Sequence, residues 1–266
     1  MENKPGHSRE FVTANVELGG PDWRLRAQVS VPKGPMQLSE LLPLVQSFAD
    51  AVIHSTVKVV EEQGQKISCK KGCSACCRQL APIAETEARH IRNIVEALAE
   101  PRRTVIRTRF AEACQRLEKA GLLEQLRHAD QLTEGDRRAL GLKYFAQGIP
   151  CPFLEDGACS IYADRPIACR EYLVTSPAEN CTQPTPETIQ RVKTPLQVWT
   201  ALARLDAPSP LAPVSWAPLI LAPTWAAAHS DEPLPRSGPE LLQELFGHLS
   251  KAGRPPTQPE AIEESA

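Results

Sequence analysis

Net charge is what this 266-residue sequence has least of: 30 Lys and Arg against 32 Asp and Glu leave −2. No global basic field exists to draw in DNA, RNA or an anionic membrane, which sets nucleic acid aside as a partner. The first residues, Met-Glu-Asn-Lys-Pro-Gly-His, have no apolar run behind a basic start, so the expectation is a chain that stays in the cytoplasm with its thiols reduced. The longest uncharged stretch, Ala207 to Ala228, approaches the roughly 20 residues of a bilayer span, but prolines 208, 210, 213, 218 and 223 interrupt it. It is expected to lie on the surface of the domain, with no membrane partner. Methionine (2) and histidine (6) are scarce beside 9 cysteines, and core packing alone does not call for that excess of thiol. At this length one good-sized core, or one domain with appendages, is affordable without disulfide staples.

Hydrophobic periodicity divides the chain. Val12, Ala14, Val16 and Leu18 alternate with polar residues, as do Trp23, Leu25, Ala27, Val29 and Val31, which reads as a β-hairpin about Gly19-Gly20-Pro21-Asp22. A four-residue loop would set Leu18 opposite Trp23, Val16 opposite Leu25 and Glu17 opposite Arg24. A lone hairpin is marginal in water, so its apolar face must dock on helices. Helical spacing runs from Ser39, an expected N-cap, to Gln63, then over 86–99, 102–120 and 133–147, with short helices at 195–205 and 239–251. His54 falls on a polar face, and Cys114, one turn past Phe110 with no Cys neighbour, reads as a packing residue. The fold class expected is mainly α with an N-terminal β-hairpin: a small helical domain with Cys-rich loops and a Pro-rich C-terminal extension. The expected divisions are a hairpin region 1–37, a helical Cys-cluster domain 38–182, a Pro-rich extension 183–252 and a disordered tail 253–266.

The remaining thiols fall in two motifs. The first is Cys69-Lys-Lys-Gly-Cys73-Ser-Ala-Cys76-Cys77. The second is Cys151-Pro-Phe-Leu-Glu-Asp-Gly-Ala-Cys159-Ser-Ile-Tyr-Ala-Asp-Arg-Pro-Ile-Ala-Cys169-Arg, with Cys181 beyond it. Thiolates two or three residues apart in a tight loop converge on one point because the backbone curls around an ion, and Gly72 supplies the freedom for such a loop. Asp156-Gly157 reads as a tight turn bringing Cys151 and Cys159 together, and Arg165-Pro166 as the start of a short helix presenting Cys169. Neighbouring side chains diverge, so Cys76 and Cys77 do not both complete one mononuclear site. A second metal, a polynuclear cluster or a different role for one of them follows. Cys69, Cys73, Cys76, Cys77, Cys151, Cys159, Cys169 and Cys181 are the candidate ligands, enough for two four-sulfur sites. Four thiolates about a divalent ion leave a charge of about −2, which Lys70, Lys71, Arg78, Arg165 and Arg170 would offset while depressing the thiol pKa values. For Lys70 and Lys71 ordinary solvated surface charge is an equal reading. Arg165 and Arg170, embedded in the second motif, are the cations expected beside the bound group.

The cluster ending in Cys76-Cys77, then Cys151-Pro152-Phe153-Leu154, Cys159-Ser160-Ile161-Tyr162, Arg165-Pro166 and Cys169-Arg170, resembles the YkgJ-like cysteine-cluster family of the CxxCxxCC type. The likeness covers residues 67–181, with a first gap of three residues instead of two and with Cys181 outside the core motif. What it implies is chelation of zinc or iron, an iron–sulfur cluster among the forms that would take. One relative with an assigned activity, the flagellin lysine N-methylase, is similar in its Cys motif. No dinucleotide-type Gly-rich loop is present to cradle a cosubstrate, and a shared metal site does not fix a reaction. Three readings stay open: a metal-binding protein whose zinc or iron centre is functional, an iron–sulfur-dependent lysine N-methylase, and a structural zinc protein serving as an interaction module. The spacing Cys69-x3-Cys73-x2-Cys76 also equals that of radical S-adenosylmethionine enzymes, but the β/α repeats those enzymes need are missing downstream. Nor does a C-x-x-C stand at a βα junction, as a thiol-redox enzyme would have it.

Overall fold

The computed structural model describes residues 9–250 and the backbone of 251–252, except 21–22, 186, 208, 210–211, 213 and 230–231. The expected disordered tail, 253–266, lies outside the described residues. Nine α-helices follow in order among them: α1 (Leu38–Glu62), α2 (Glu85–Ala97), α3 (Arg102–Lys119), α4 (Leu123–Arg127), α5 (Glu134–Ala146), α6 (Ile167–Glu171), α7 (Val198–Asp206), α8 (Ala222–Ala228) and α9 (Gly238–Ala252). The strands form five two-stranded ribbons among the described residues: β1 (Phe11–Gly19) with β2 (Arg24–Pro32), β3 (Pro35–Met36) with β10 (Arg236–Ser237), β4 (Pro82–Ile83) with β9 (Ala217–Pro218), β5 (Leu154–Glu155) with β6 (Ala158–Cys159), and β7 (Leu173–Val174) with β8 (Arg191–Val192). Among the described residues these ribbons and helices do not form a β/α barrel.

The hairpin forms with the expected inner face but a different register. Leu18 pairs with Leu25, Val16 with Ala27 and Glu17 with Arg26, so the strands have slid by two residues. The Gly20 N–H donates to the Trp23 carbonyl at 2.9 Å and Gly19 pairs with Arg24, so the strands fold back about a point one residue later than expected. A slide of two preserves which side chains point inward, because the strand period is two. The Trp23 indole lies against Gly20 so closely that a Cβ there would meet its Nε1 at 2.5 Å, and only glycine admits that approach. Ala14, Val16, Leu18, Leu25 and Ala27 then pack on a core built from Val29, Val31, α1, α7 and α9, in which Phe48 meets Phe246 edge to face at 5.4 Å.

Helix α1 begins one residue earlier than the expected cap: Glu40 turns back to accept the Gln37 N–H at 2.8 Å, while the Ser39 hydroxyl donates to Glu232. His54 is exposed, as its polar face suggested. The Pro-rich segment departs from its expected surface position. Trp216, Ala217, Leu219, Ile220, Leu221, Ala222 and Ala226 are buried, and the Leu219 N–H donates to the Ala81 carbonyl at 2.9 Å. The physical reason is that the prolines bar a long helix without making the intervening residues polar. A short ribbon and two short helical turns bury them instead. A second core joins α2, the start of α3 and this segment to Phe153 and Ile161 of the second Cys motif, with Cys151, Cys159 and Cys169 packed at its border. A third gathers the end of α3, α4 and α5, and half-buried Cys114 packs against it, the role its isolation in sequence suggested. No described helix is long and apolar enough to cross a membrane.

Candidate metal centre

The first Cys motif is an irregular loop between α1 and β4, folded by consecutive tight turns. Cys73 N–H donates to the Lys70 carbonyl, Cys77 to Ser74 and Gln79 to Cys76, each at 3.0 Å. Gly72 sits at φ +90°, which the first turn needs and which an L side chain rarely adopts, although open space surrounds the residue. The loop is pinned from behind, where Ser68 N–H donates to the Val174 carbonyl at 2.9 Å and the Cys69 thiol to the Tyr172 carbonyl at 3.7 Å. The Tyr172 hydroxyl in turn accepts from Gln79 at 3.3 Å.

The second motif forms as its sequence indicated. Asp156 (φ +48°) and Gly157 (φ +74°) make a two-residue turn with both residues left-handed, pairing Leu154 with Cys159 and setting Cys151 and Cys159 near one another. Pro166 precedes α6, whose first turns carry Cys169. Phe153 anchors the loop by an edge-to-face contact with Phe110 at 5.6 Å. One backbone hydrogen bond, Cys151 N–H to the Cys77 carbonyl at 2.7 Å, joins the two motifs directly. Cys181 arrives on a 3-10 turn, Ala178–Thr182, after the β7–β8 ribbon begins, and is buried, whereas the other seven thiols are half-buried.

The electrostatic neighbourhoods of the thiols sort them into two groups around one residue. Cys69 senses Cys73 and Cys76, and Cys181 senses Cys69, Cys73 and Cys76. On the other side Cys151 senses Cys159 and Cys76, while Cys169 senses Cys151, Cys159 and Cys76. Cys76 stands between the groups, hydrogen-bonded to the Cys77 thiol. That bond and then burial raise the Cys76 pKa; burial first of all raises those of Cys69, Cys159 and Cys169, pushes Cys151 up to about 12 and Cys181 up to about 11. Arg165 pulls Cys69, Cys76 and Cys159 the other way, and Arg170 does so for Cys159. The net depression expected from the flanking cations is therefore not found, because desolvation outweighs them. Among the described residues, no three His, Cys, Asp or Glu side chains converge closely enough to hold a metal ion.

The flanking cations divide by role. Arg165 stacks over the Tyr162 ring at 4.3 Å, with Lys71 over the same ring at 5.6 Å, and its buried Nε has no hydrogen-bond partner among the described residues. An unpartnered buried N–H donor beside thiols is a group that negative charge on those sulfurs would satisfy. Arg170 is buried and its guanidinium is fully engaged: it donates to the Arg165 carbonyl at 2.8 Å, to Asp50 of α1 at 2.6 Å and to the Ala163 carbonyl. Lys70 and Arg78 are exposed.

Three buried carboxylates escaped the sequence reading. Glu87 accepts the N–H of Ala84 at 2.9 Å and that of Ile167 at 2.7 Å, tying the start of α2 to the start of the helix that carries Cys169. Glu171 accepts Val198 N–H at 2.6 Å at the start of α7, and Asp206 accepts both Thr86 N–H and its hydroxyl, at 3.0 and 2.6 Å. Burial pushes Glu87 and Glu171 up to about 7 and Asp206 up to about 6. Only half of one signal was visible: Glu87 stands at the third position of α2, where a carboxylate caps the helix start.

Searches of curated proteins and of solved structures returned no match. Residues 68–188, which contain all eight candidate ligands, match the model of the CxxCxxCC family, described as "Putative zinc- or iron-chelating domain".

Proposed function

We propose that the eight thiols hold zinc or iron and that this centre is the functional core of the protein. What supports the reading is that the fold brings the two motifs together, Cys151 N–H donating to the Cys77 carbonyl at 2.7 Å, with Cys76 in electrostatic range of Cys69 and Cys181 from one side and of Cys151, Cys159 and Cys169 from the other, Cys73 lying with the first group. Each group of three lacks one ligand of a four-sulfur set, and the Cys76 and Cys77 thiols, which lie against one another here, would turn apart to supply one to each. Soft thiolate donors suit zinc or iron–sulfur chemistry over hard cations, and a cysteine needs only a χ1 rotation to turn toward an ion. Arg165 faces the negative charge that such a centre would carry, while Arg170 and Glu87 hold the elements that present Cys159 and Cys169. When bound, zinc would supply a fixed structural or Lewis-acid centre, and an iron–sulfur cluster an electron-transfer centre.

The test is purification of the full chain without oxygen, followed by metal and sulfide analysis and a visible spectrum. Metal near two sites per chain is expected, with about half lost in Cys73→Ser and the other half in Cys159→Ser, and none in Cys114→Ser. Unchanged metal in both motif variants refutes the ligand set, and complete loss in either replaces two sites by one shared centre. A brown protein with stoichiometric iron and sulfide favours the iron–sulfur form, within which lysine N-methylation remains the activity to assay. A colourless protein holding only zinc removes both.

A further inference from the structure

Away from the thiols, a cleft of about 550 Å³ lies between the turn end of the hairpin, the C-terminal half of α1 and the β7–β8 ribbon. That volume falls in the range of small-molecule sites, roughly 300–1,000 Å³. Its apolar wall is Trp23, Val59 and Val192, its amide and hydroxyl groups include Gln190, and its charged groups are Arg191 and Lys193. No carboxylate is among the described residues that line it. Among the described residues neither cation is in a salt bridge: Arg191 lies over the Tyr172 ring at 5.2 Å and feels the buried Glu171 carboxylate only through space, so no hydrogen bond occupies its guanidinium. Two cations outside any salt bridge, with no carboxylate in the described lining and apolar side chains beside them, make a surface that recognises negative charge attached to an apolar body.

We propose that this cleft binds a small organic anion, its carboxylate or phosphate head held by Arg191 and Lys193 and its apolar part set against Trp23, Val59 and Val192. The site is distinct from the thiol centre but shares a wall with it. Tyr172, under Arg191, gives its carbonyl to the Cys69 thiol, and Thr175 of the cleft gives its own to Ser68.

The test titrates the full chain with 8-anilinonaphthalene-1-sulfonate, an aryl anion whose fluorescence reports binding. One site per chain is expected. Arg191→Gln and Lys193→Gln should each weaken binding about fivefold, and together more than tenfold, the effect expected of single charges at a wet surface. Val59→Trp should block the site by filling it, while Arg26→Gln, a cation of the hairpin's outer face paired with Glu17, should change nothing. Displacement by benzoate or by phenyl phosphate then tells a carboxylate site from a phosphate site, either result supporting the proposal. The proposal is overturned if the uncharged analogue N-phenyl-1-naphthylamine binds as tightly, or if the double cation variant, shown folded by circular dichroism, binds like the parent. Because the readout is ligand binding, it is independent of metal content and stands or falls apart from the thiol reading.

Discussion

Replacing Arg170 by methionine, which keeps the apolar stem and removes the guanidinium, should destabilise the protein by about 3 kcal/mol. The side chain is only 5% exposed and makes three charge-assisted hydrogen bonds, to Asp50, to the Arg165 carbonyl and to the Ala163 carbonyl. Hydrogen bonds to a charged group contribute about 1.5–3 kcal/mol each, so three fully buried ones would lose about 4.5–9 kcal/mol. Asp50 is 55% exposed and Ala163 lies at the surface, so water replaces part of what is lost and about 3 kcal/mol remains. At about 2–4 °C per kcal/mol for a chain of this size, thermal denaturation followed by circular dichroism should show Tm falling by about 6–12 °C. A double-mutant cycle with Asp50→Asn should return a coupling near 1 kcal/mol, the rest belonging to the two carbonyls. Lysine separates a clamp from a counter-ion. It keeps the charge but cannot present three donors in a plane, so Arg170→Lys should melt close to the methionine variant. A lysine variant with the parent Tm, or a methionine variant within about 2 °C of it, refutes the clamp.

Further outcomes follow from other parts of the structure. Gly238→Ala should cost at least about 2 kcal/mol in a denaturant melt, because its Cβ would lie 2.1 Å from the Pro32 carbonyl oxygen, whereas Gly141→Ala, inside α5 with open space around it, should stabilise by up to about 1 kcal/mol. Asp206 and Glu87 have folded pKa values near 6 and 7, above their unfolded values of 3.8 and 4.5, so the native state holds their protons more tightly. Their contribution is fully present below about pH 4 and is lost as pH rises through 6 and 7, at most about 3 kcal/mol each. Urea melts of metal-free protein between pH 5 and 8 should show that decline, and Asp206→Asn should flatten it; stability climbing steadily with pH would contradict the burial argument.

Much of the fold was legible because its long elements obey a single period. The alternation from Val12 to Val31 identified the inner face of the hairpin, yet its register depended on where the chain turns, which alternation does not constrain. The 3.6-residue spacing located α1, α2, α3 and α5 to within a residue or two. The two-residue ribbons carry no period, and three of the four were invisible; β5–β6 was the exception because Asp156-Gly157 announces its own turn. Buried Glu87 and Asp206 could not be found from sequence, since their partners lie 80 and 120 residues away. Cys181 obeys no motif spacing either, and it reaches Cys69 and Cys73 only because the chain folds back beside the first motif.

The hydrogen bond from Cys151 N–H to the Cys77 carbonyl also bears on the order of events during synthesis. The first four thiols leave the ribosome well before Tyr172, Val174 and Cys181, the residues that anchor and complete their loop. At about 5–20 residues per second that interval is on the order of ten seconds. During it the nascent chain displays four reduced thiols with neither their backbone support nor their counterparts. A chain truncated between the two motifs would display them permanently. Assembly of the proposed centre would thus be a late event of chain maturation, with the first motif open to oxidation or to capture by a stray ion until the second arrives.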